Sequence, residues 1–210
     1  MTLQNRVDPW GALVAVADRG TLMGNRGILH DAEQRIVRPW AHKAWVTCQL
    51  SFGEMKRPPP FSTTNNYSEL FFLDEVTAFA AGHRPCTYCQ RERSRLFKEA
   101  WLKANFVDGL SEKFPLSALD NQLHKERALR GGKKVTYETS ISALPRGTMF
   151  EYAGTAYVVT TNGYLPWSFG GYGEAVSLSG ATIVNVLTPR SIVNTFAAGF
   201  EALLHSSANC

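Results

Sequence analysis

The sequence predicts an α+β fold, and three observations carry that expectation. Short runs of aromatic and β-branched residues alternate with polar ones, as in Trp45 to Phe52 and Ala156 to Thr160, which is the period of a half-buried strand. Between them, Leu96, Phe97, Ala100, Trp101 and Ala104 recur at the i, i+3, i+4 spacing of a helix with one core-facing side. Cys86 and Cys89 then stand in a Cys-x2-Cys arrangement, the spacing at which a tight turn brings two thiolates onto one tetrahedral metal. The architecture that follows is a set of small antiparallel sheets with several short helices around a zinc-binding module.

Taken in order, the chain opens with a strand candidate at Ala12 to Ala17 and a glycine-bearing stretch, Asp18 to Gly27, that reads as a tight loop. No P-loop lysine follows, and no dinucleotide fingerprint is complete. Trp45 to Phe52 is a strand with Val46 and Cys48 on one face. The Pro58-Pro59-Pro60 and Thr63-Thr64-Asn65-Asn66 runs make a polar loop, after which Ser68 to Phe72 returns as a second strand, antiparallel to the first. Such a hairpin would carry Cys48 to the Cys86/Cys89 turn.

Asp74 to Ala81 reads as a short helix that Gly82 ends in the left-handed conformation, and Pro85 biases Arg84 toward extended backbone. A longer helix covers Thr87 to Ala104. Ser117 is placed to cap a third helix that runs to Arg130 and stops at Gly131-Gly132. Beyond it come strands at Thr148 to Tyr152 and Ala156 to Thr160, a hairpin turn at Thr161-Asn162-Gly163, an aromatic loop from Pro166 to Gly173, a strand at Ala181 to Leu187 and a helix from Pro189 to Gly199. The glycines at 131 and 132 suggest two units: a zinc-binding α+β domain over 1–131, with its metal module at 45–104, and a smaller β-rich domain with a C-terminal helix over 132–210.

With 210 residues, 44% of them hydrophobic, the chain can bury a sizeable core, which excludes an intrinsically disordered protein. The apolar run Ala12 to Ala17 is too short for a signal-peptide core or a membrane span, so the expectation is a cytoplasmic protein without a membrane partner. In that setting Cys-x2-Cys points to metal or redox chemistry rather than disulfides, and the Asn66-Tyr67-Ser68 sequon carries no meaning. A thioredoxin-like site places its pair at a helix start directly after a buried strand, whereas here a short helix and Gly82 come first.

The run from Phe71 to Cys89, with Phe71-Phe72-Leu73-Asp74-Glu75 leading into Ala80-Ala81-Gly82-His83-Arg84-Pro85-Cys86-Thr87-Tyr88-Cys89, resembles the second half of the metal-binding domain of Ada-type DNA-repair proteins. The likeness spans about residues 48–90. It implies a structural zinc held by four cysteines, one of the upstream pair accepting a methyl group from DNA phosphotriesters. That family's first pair is Cys-x3-Cys, and at the matching place this sequence has Cys48 alone.

Candidate zinc ligands are therefore Cys86, Cys89, Cys48 and, as a fourth, His42, whose spacing to Cys48 allows both to come from adjoining backbone; His30 and His83 are the other histidines in reach. Cys210 reads as an unconnected terminal thiol. Four protein ligands would make the zinc structural, while an open position would make it a hydrolytic centre. In the second case His124, with Asp120 or Glu126 on the same helix, could serve as acid, base or ligand, although no Gly-x-Ser-x-Gly elbow or His-Glu-x-x-His helix accompanies them.

The net charge of +4 is mild. Its placement is more informative, because Arg84, Arg91, Arg93, Arg95, Lys98 and Lys103 face only Glu92 and Glu99 in the segment from Arg84 to Lys103, which contains the thiols. These side chains are candidates to contact the phosphate backbone of DNA or RNA, with the aromatic loop Trp167 to Tyr172 available for stacking on single strands. The leading expectation is a zinc protein that binds nucleic acid and is associated with DNA repair. The alternatives are a metal-dependent hydrolase or nuclease, and a non-catalytic zinc-stabilised interaction module.

Overall fold

The computed structural model describes residues 2–56, 59–106 and 114–209, and its fold is α+β as the alternation and periodicity predict. In chain order the first half runs β1 (Arg6–Val7), β2 (Leu13–Val14), β3 (Leu22–Asn25), β4 (Val46–Gln49), β5 (Ser51–Phe52), β6 (Met55–Lys56), β7 (Leu70–Phe72), α1 (Glu75–Ala80), β8 (Arg84–Pro85), α2 (Arg91–Asn105) and α3 (Leu116–Arg127). The second half runs β9 (Tyr137–Ser140), β10 (Met149–Tyr152), β11 (Thr155–Thr160), β12 (Gly163–Ser168), β13 (Gly171–Tyr172), β14 (Ile183–Val186) and α4 (Arg190–Ala197).

Two six-stranded sheets result. The N-terminal one has the order β2-β1-β7-β3-β4-β8, and the C-terminal one β13-β12-β11-β10-β14-β9. The expected hairpin between β4 and β7 is not formed, because β3 lies between them and pairs antiparallel with both. That strand occupies the stretch expected to be a glycine loop. Its glycines serve close packing instead: a Cβ on Gly24 would come within 2.3 Å of the Phe72 ring, and one on Gly20 within 2.3 Å of the Phe72 carbonyl oxygen.

Helix α1 begins where Asp74 accepts a hydrogen bond from the Thr77 amide and ends at Gly82, whose φ of 84° only glycine adopts freely. Helix α2 starts at Arg91 rather than Thr87, since residues 86–90 are spent on the thiol turn. Helix α3 starts at Leu116, after Pro115, and stops at Arg127. Ser117 therefore sits inside it and does not cap it. The aromatic stretch after Pro166 is strand, not loop: β12 runs to Ser168 and turns back as β13.

Apolar clusters join the two halves of the chain. Leu73, Val76 and Ala80 pack with Met149, Val158 and Leu187, while Phe79, Phe97 and Trp101 pack with Ile192, Phe196 and Phe200. The start of α1 ties the same parts together by polar bonds. Buried Asp74 accepts from the Tyr172 hydroxyl at 2.8 Å and the His205 amide at 2.9 Å, and Glu75 accepts from Arg93 and the Leu203 amide. Burial raises the Asp74 carboxyl above its ordinary range, and these donors oppose the rise. No helix among the described residues is long and apolar enough to cross a membrane.

Candidate metal centre

The register of the N-terminal sheet builds a row of side chains on one face. Arg6 pairs with Phe71, Phe71 with Met23, and Met23 with Cys48, so these four lie side by side across β1, β7, β3 and β4. Next to β4, the two-residue strand β8 runs parallel, and the Cys86 amide donates to the Thr47 carbonyl at 2.9 Å. That pairing, rather than a hairpin, sets the Cys86 turn against Cys48. The turn is braced by Gln90, whose amide side chain donates to the Thr47 carbonyl at 2.9 Å.

The Sγ atoms of Cys48, Cys86 and Cys89 all lie within 4.8 Å of one another. A tetrahedral zinc with bonds of about 2.3 Å needs thiolates about 3.8 Å apart, so a small contraction closes the three around one ion. Cys48 and Cys89 are buried and Cys86 is half-buried, within an apolar cluster that includes Met23 and Phe71. Donors converge on the Cys86 sulfur. Hydrogen bonding from Cys48 is the largest influence and the amides of Cys89 and Tyr88 add to it, pushing this thiol down to about 5 against the opposing effect of burial. Burial pushes Cys89 up, and the charge of a Cys86 thiolate adds to that rise. The site thus sets a sulfur pushed toward its thiolate form, Cys86, beside one that burial holds toward its protonated form, Cys89, and a metal ion would displace the proton of the latter. Soft thiolates of this number suit a soft or borderline metal ion, not a hard one such as magnesium or calcium.

Among the described residues no histidine, aspartate or glutamate joins this group. His42 does not reach it: its ring lies beside Gly27 and its carbonyl accepts from the Trp45 indole, on the other side of the sheet. His30 is buried on Ser68, with Nδ1 2.5 Å from the hydroxyl. His83 is fully buried against Phe72 and Trp45 and accepts from Arg26 Nε. Cys210 lies outside the described residues.

The hydrolytic candidates are likewise dispersed. Asp120 is buried in a two-pronged ion pair with Arg84, at 2.7 and 2.8 Å. His124 stands edge-on to Trp40 and beside Arg127, and desolvation together with that cation lowers its pKa. Glu126 accepts from the amide and hydroxyl of Ser191 at the start of α4, where a carboxylate meets the positive end of the helix.

Of the residues expected to face phosphate, Arg84 is turned inward to Asp120. Arg93 makes two bonds to Glu75 and lies over the Phe200 ring, and Arg95 is held between Glu92 and Glu99. Arg91 is exposed, Lys98 is half-buried, and a shallow depression beside Cys89 is lined by Gln49, Gln90 and Arg91.

Sequence reasoning did not foresee a second polar assembly on the opposite face. The guanidinium carbons of Arg26 and Arg127 stand 4.1 and 4.0 Å from the Trp45 ring centroid, and Lys134 donates to the Ala80 carbonyl below them. Arg26 also donates to the Gly11 carbonyl, and Arg127 to those of Gly82 and Lys43. Burial, reinforced by mutual repulsion, brings Arg127 down to about 9 and Lys134 to about 7. Arg26 also falls to about 9 through burial, against the pull of Asp8. Only the packing requirement of Gly82, where a Cβ would come within 2.4 Å of the Arg127 side chain, leaves a trace of this assembly in the sequence. No family model matches the chain, and no curated protein or solved structure matches it.

Proposed function

We propose that the protein binds one zinc ion through Cys48, Cys86 and Cys89 and works on nucleic acid through the module that this ion holds in place. The observation that carries the reading is the convergence of three sulfurs, one from strand β4 and two from the turn after β8, within 4.8 Å. A zinc there would fasten the leading turn of α2 to β4, and its binding free energy would be folding free energy. With three ligands from the described residues, the fourth tetrahedral position goes to a donor from elsewhere, such as water or a group on the substrate.

The nucleic-acid part of the proposal is supported by the likeness of residues 48–90 to the Ada-type metal module and by the basic excess after the thiols. Arg84, Arg93 and Arg95 are bonded to carboxylates within the protein, and the test falls on Arg91, which is exposed, together with Lys98 on the same helix. The separation of His124, Glu126 and Asp120 from the thiols favours this reading over a hydrolase that uses those three around the metal. Metal analysis of the purified chain tests the first part: one zinc per chain is expected, lost in Cys86→Ser and Cys89→Ser, and zinc retained in the double variant ends the proposal. For the second part, binding to DNA or RNA should fall steeply with salt and weaken in the Arg91→Glu, Lys98→Glu double variant. Salt-insensitive or unchanged binding would separate the zinc from any role on nucleic acid.

A further inference from the structure

Beside the Arg6 and Phe71 end of the Arg6–Phe71–Met23–Cys48 row, the protein has a cavity of about 560 Å³. Its floor is apolar and aromatic: Phe61 and Phe71 meet edge to face at 5.0 Å, with Leu50 and Pro59 beside them. Its rim carries Arg6 and Arg19, and no acidic residue lines it. The nearest carboxylate along the chain, Asp18, has Oδ1 3.2 Å from where a Cβ on Gly170 would stand; it is not in the cavity lining, but its charge acts on Arg6 and offsets part of the repulsion from Arg19.

Arg6 is held in place for use. Its guanidinium lies 4.8 Å from the Phe71 ring centroid, Nε donates to the Asp18 carbonyl, and Nη1 donates to Oδ1 of buried Asn5. Its Nη2 amine has no acceptor among the described residues. Arg19 is exposed, and its guanidinium likewise has no acceptor there. Two like charges beside an apolar cavity cost energy unless an anion joins them, and an anion alone would leave the aromatic floor wet. The complement is a small molecule with a dianionic head and a planar apolar body. A phosphate offers oxygens to two guanidinium forks, and a heterocycle offers a face to Phe61. The size is right, since pockets for such ligands run to about 300–1,000 Å³.

We infer that this cavity is a mononucleotide site, with the phosphate held between Arg6 and Arg19 and the base against Phe61. The inference does not rest on the metal: Arg6 and Arg19 are not in the thiol cluster, although the floor residues Phe61 and Phe71 pack against it.

Calorimetric titration of the full-length protein with the common nucleoside monophosphates, the matching nucleosides and inorganic phosphate tests it. At least one monophosphate should saturate a single site, with its nucleoside and free phosphate each weaker by about tenfold or more. Arg19→Glu, on an exposed side chain, should weaken the monophosphate by about tenfold or more while thermal unfolding and zinc content stay as in the wild type. Arg6→Lys, which keeps the charge and loses the fork, should also weaken it. The site is refuted if no monophosphate saturates, if nucleoside and monophosphate bind alike, or if folded Arg19→Glu binds as the wild type does. Because zinc is measured in the same samples, failure here is distinct from failure of the metal proposal.

Discussion

On one face of the N-terminal sheet stand Phe71, Met23 and Cys48; on the other, one residue out of step on the same strands, stand Phe72, Gly24 and Thr47. The first face ends in three thiols with no cation among them. The second leads to Trp45 and the buried cations Arg26 and Arg127, each of which donates to backbone carbonyls of loops and turns and lies over the Trp45 indole. Because side chains alternate across a strand, a step of one residue separates a face whose thiols could hold an added ion from one completed by the chain's own atoms. The two faces should therefore respond to different perturbations.

The largest effect is expected on the thiol face. Apparent binding free energies of structural zinc reach about 10–16 kcal/mol, so chelation or Cys86→Ser should lower the unfolding temperature more than any substitution on the other face. Cys48→Ser should behave in the same way, and thermal unfolding with and without chelator checks both. A chelator-insensitive melt would mean that the thiols are ordinary core.

On the opposite face, Trp45→Ala removes the ring shared by two buried guanidiniums and should cost about 3–5 kcal/mol in denaturant unfolding, with zinc stoichiometry unchanged. Close to it in size, Asp120→Ala strands the Arg84 charge in the interior and should cost about 3–5 kcal/mol. The double variant Arg84→Met, Asp120→Leu should recover much of that loss, since the pair removed together leaves no buried charge.

A smaller effect follows from Lys134. In the fold its pKa falls from 10.5 to about 7, so between those values the unfolded chain holds a proton that the folded chain has released. Stability should therefore rise with pH above about 7, by at most about 1.4 kcal/mol per pH unit from this group. The zinc-loaded wild type compared with Lys134→Met, melted at pH 7 and pH 9, isolates that slope; equal slopes would show that Lys134 does not titrate in this window. Smallest of all, Arg95→Ala on the exposed side of α2 should leave the denaturant-unfolding midpoint almost unchanged, because its ion pairs with Glu92 and Glu99 are solvated.

What the sequence determined by itself is local. The Cys86/Cys89 spacing, the Asp74 cap and Gly82 stop of α1, the Phe97 and Trp101 stripe of α2 and the hairpin of β11 with β12 each rest on residues within one or two turns or one tight bend, so a short window holds the whole cause. What only the tertiary structure decided is long-range. Which strand lies beside β4, and so how Cys48 meets Cys86, depended on β3 being able to pass Phe72 with glycine at position 24. That Arg84 and Arg93 turn to carboxylates within the protein depended on Asp120 and Glu75, which belong to other elements. The meeting of Arg26, Trp45 and Arg127 has no local signature, because three residues far apart in the chain are brought together only when the strands and α3 have packed, and burial, not spacing, then selects their partners.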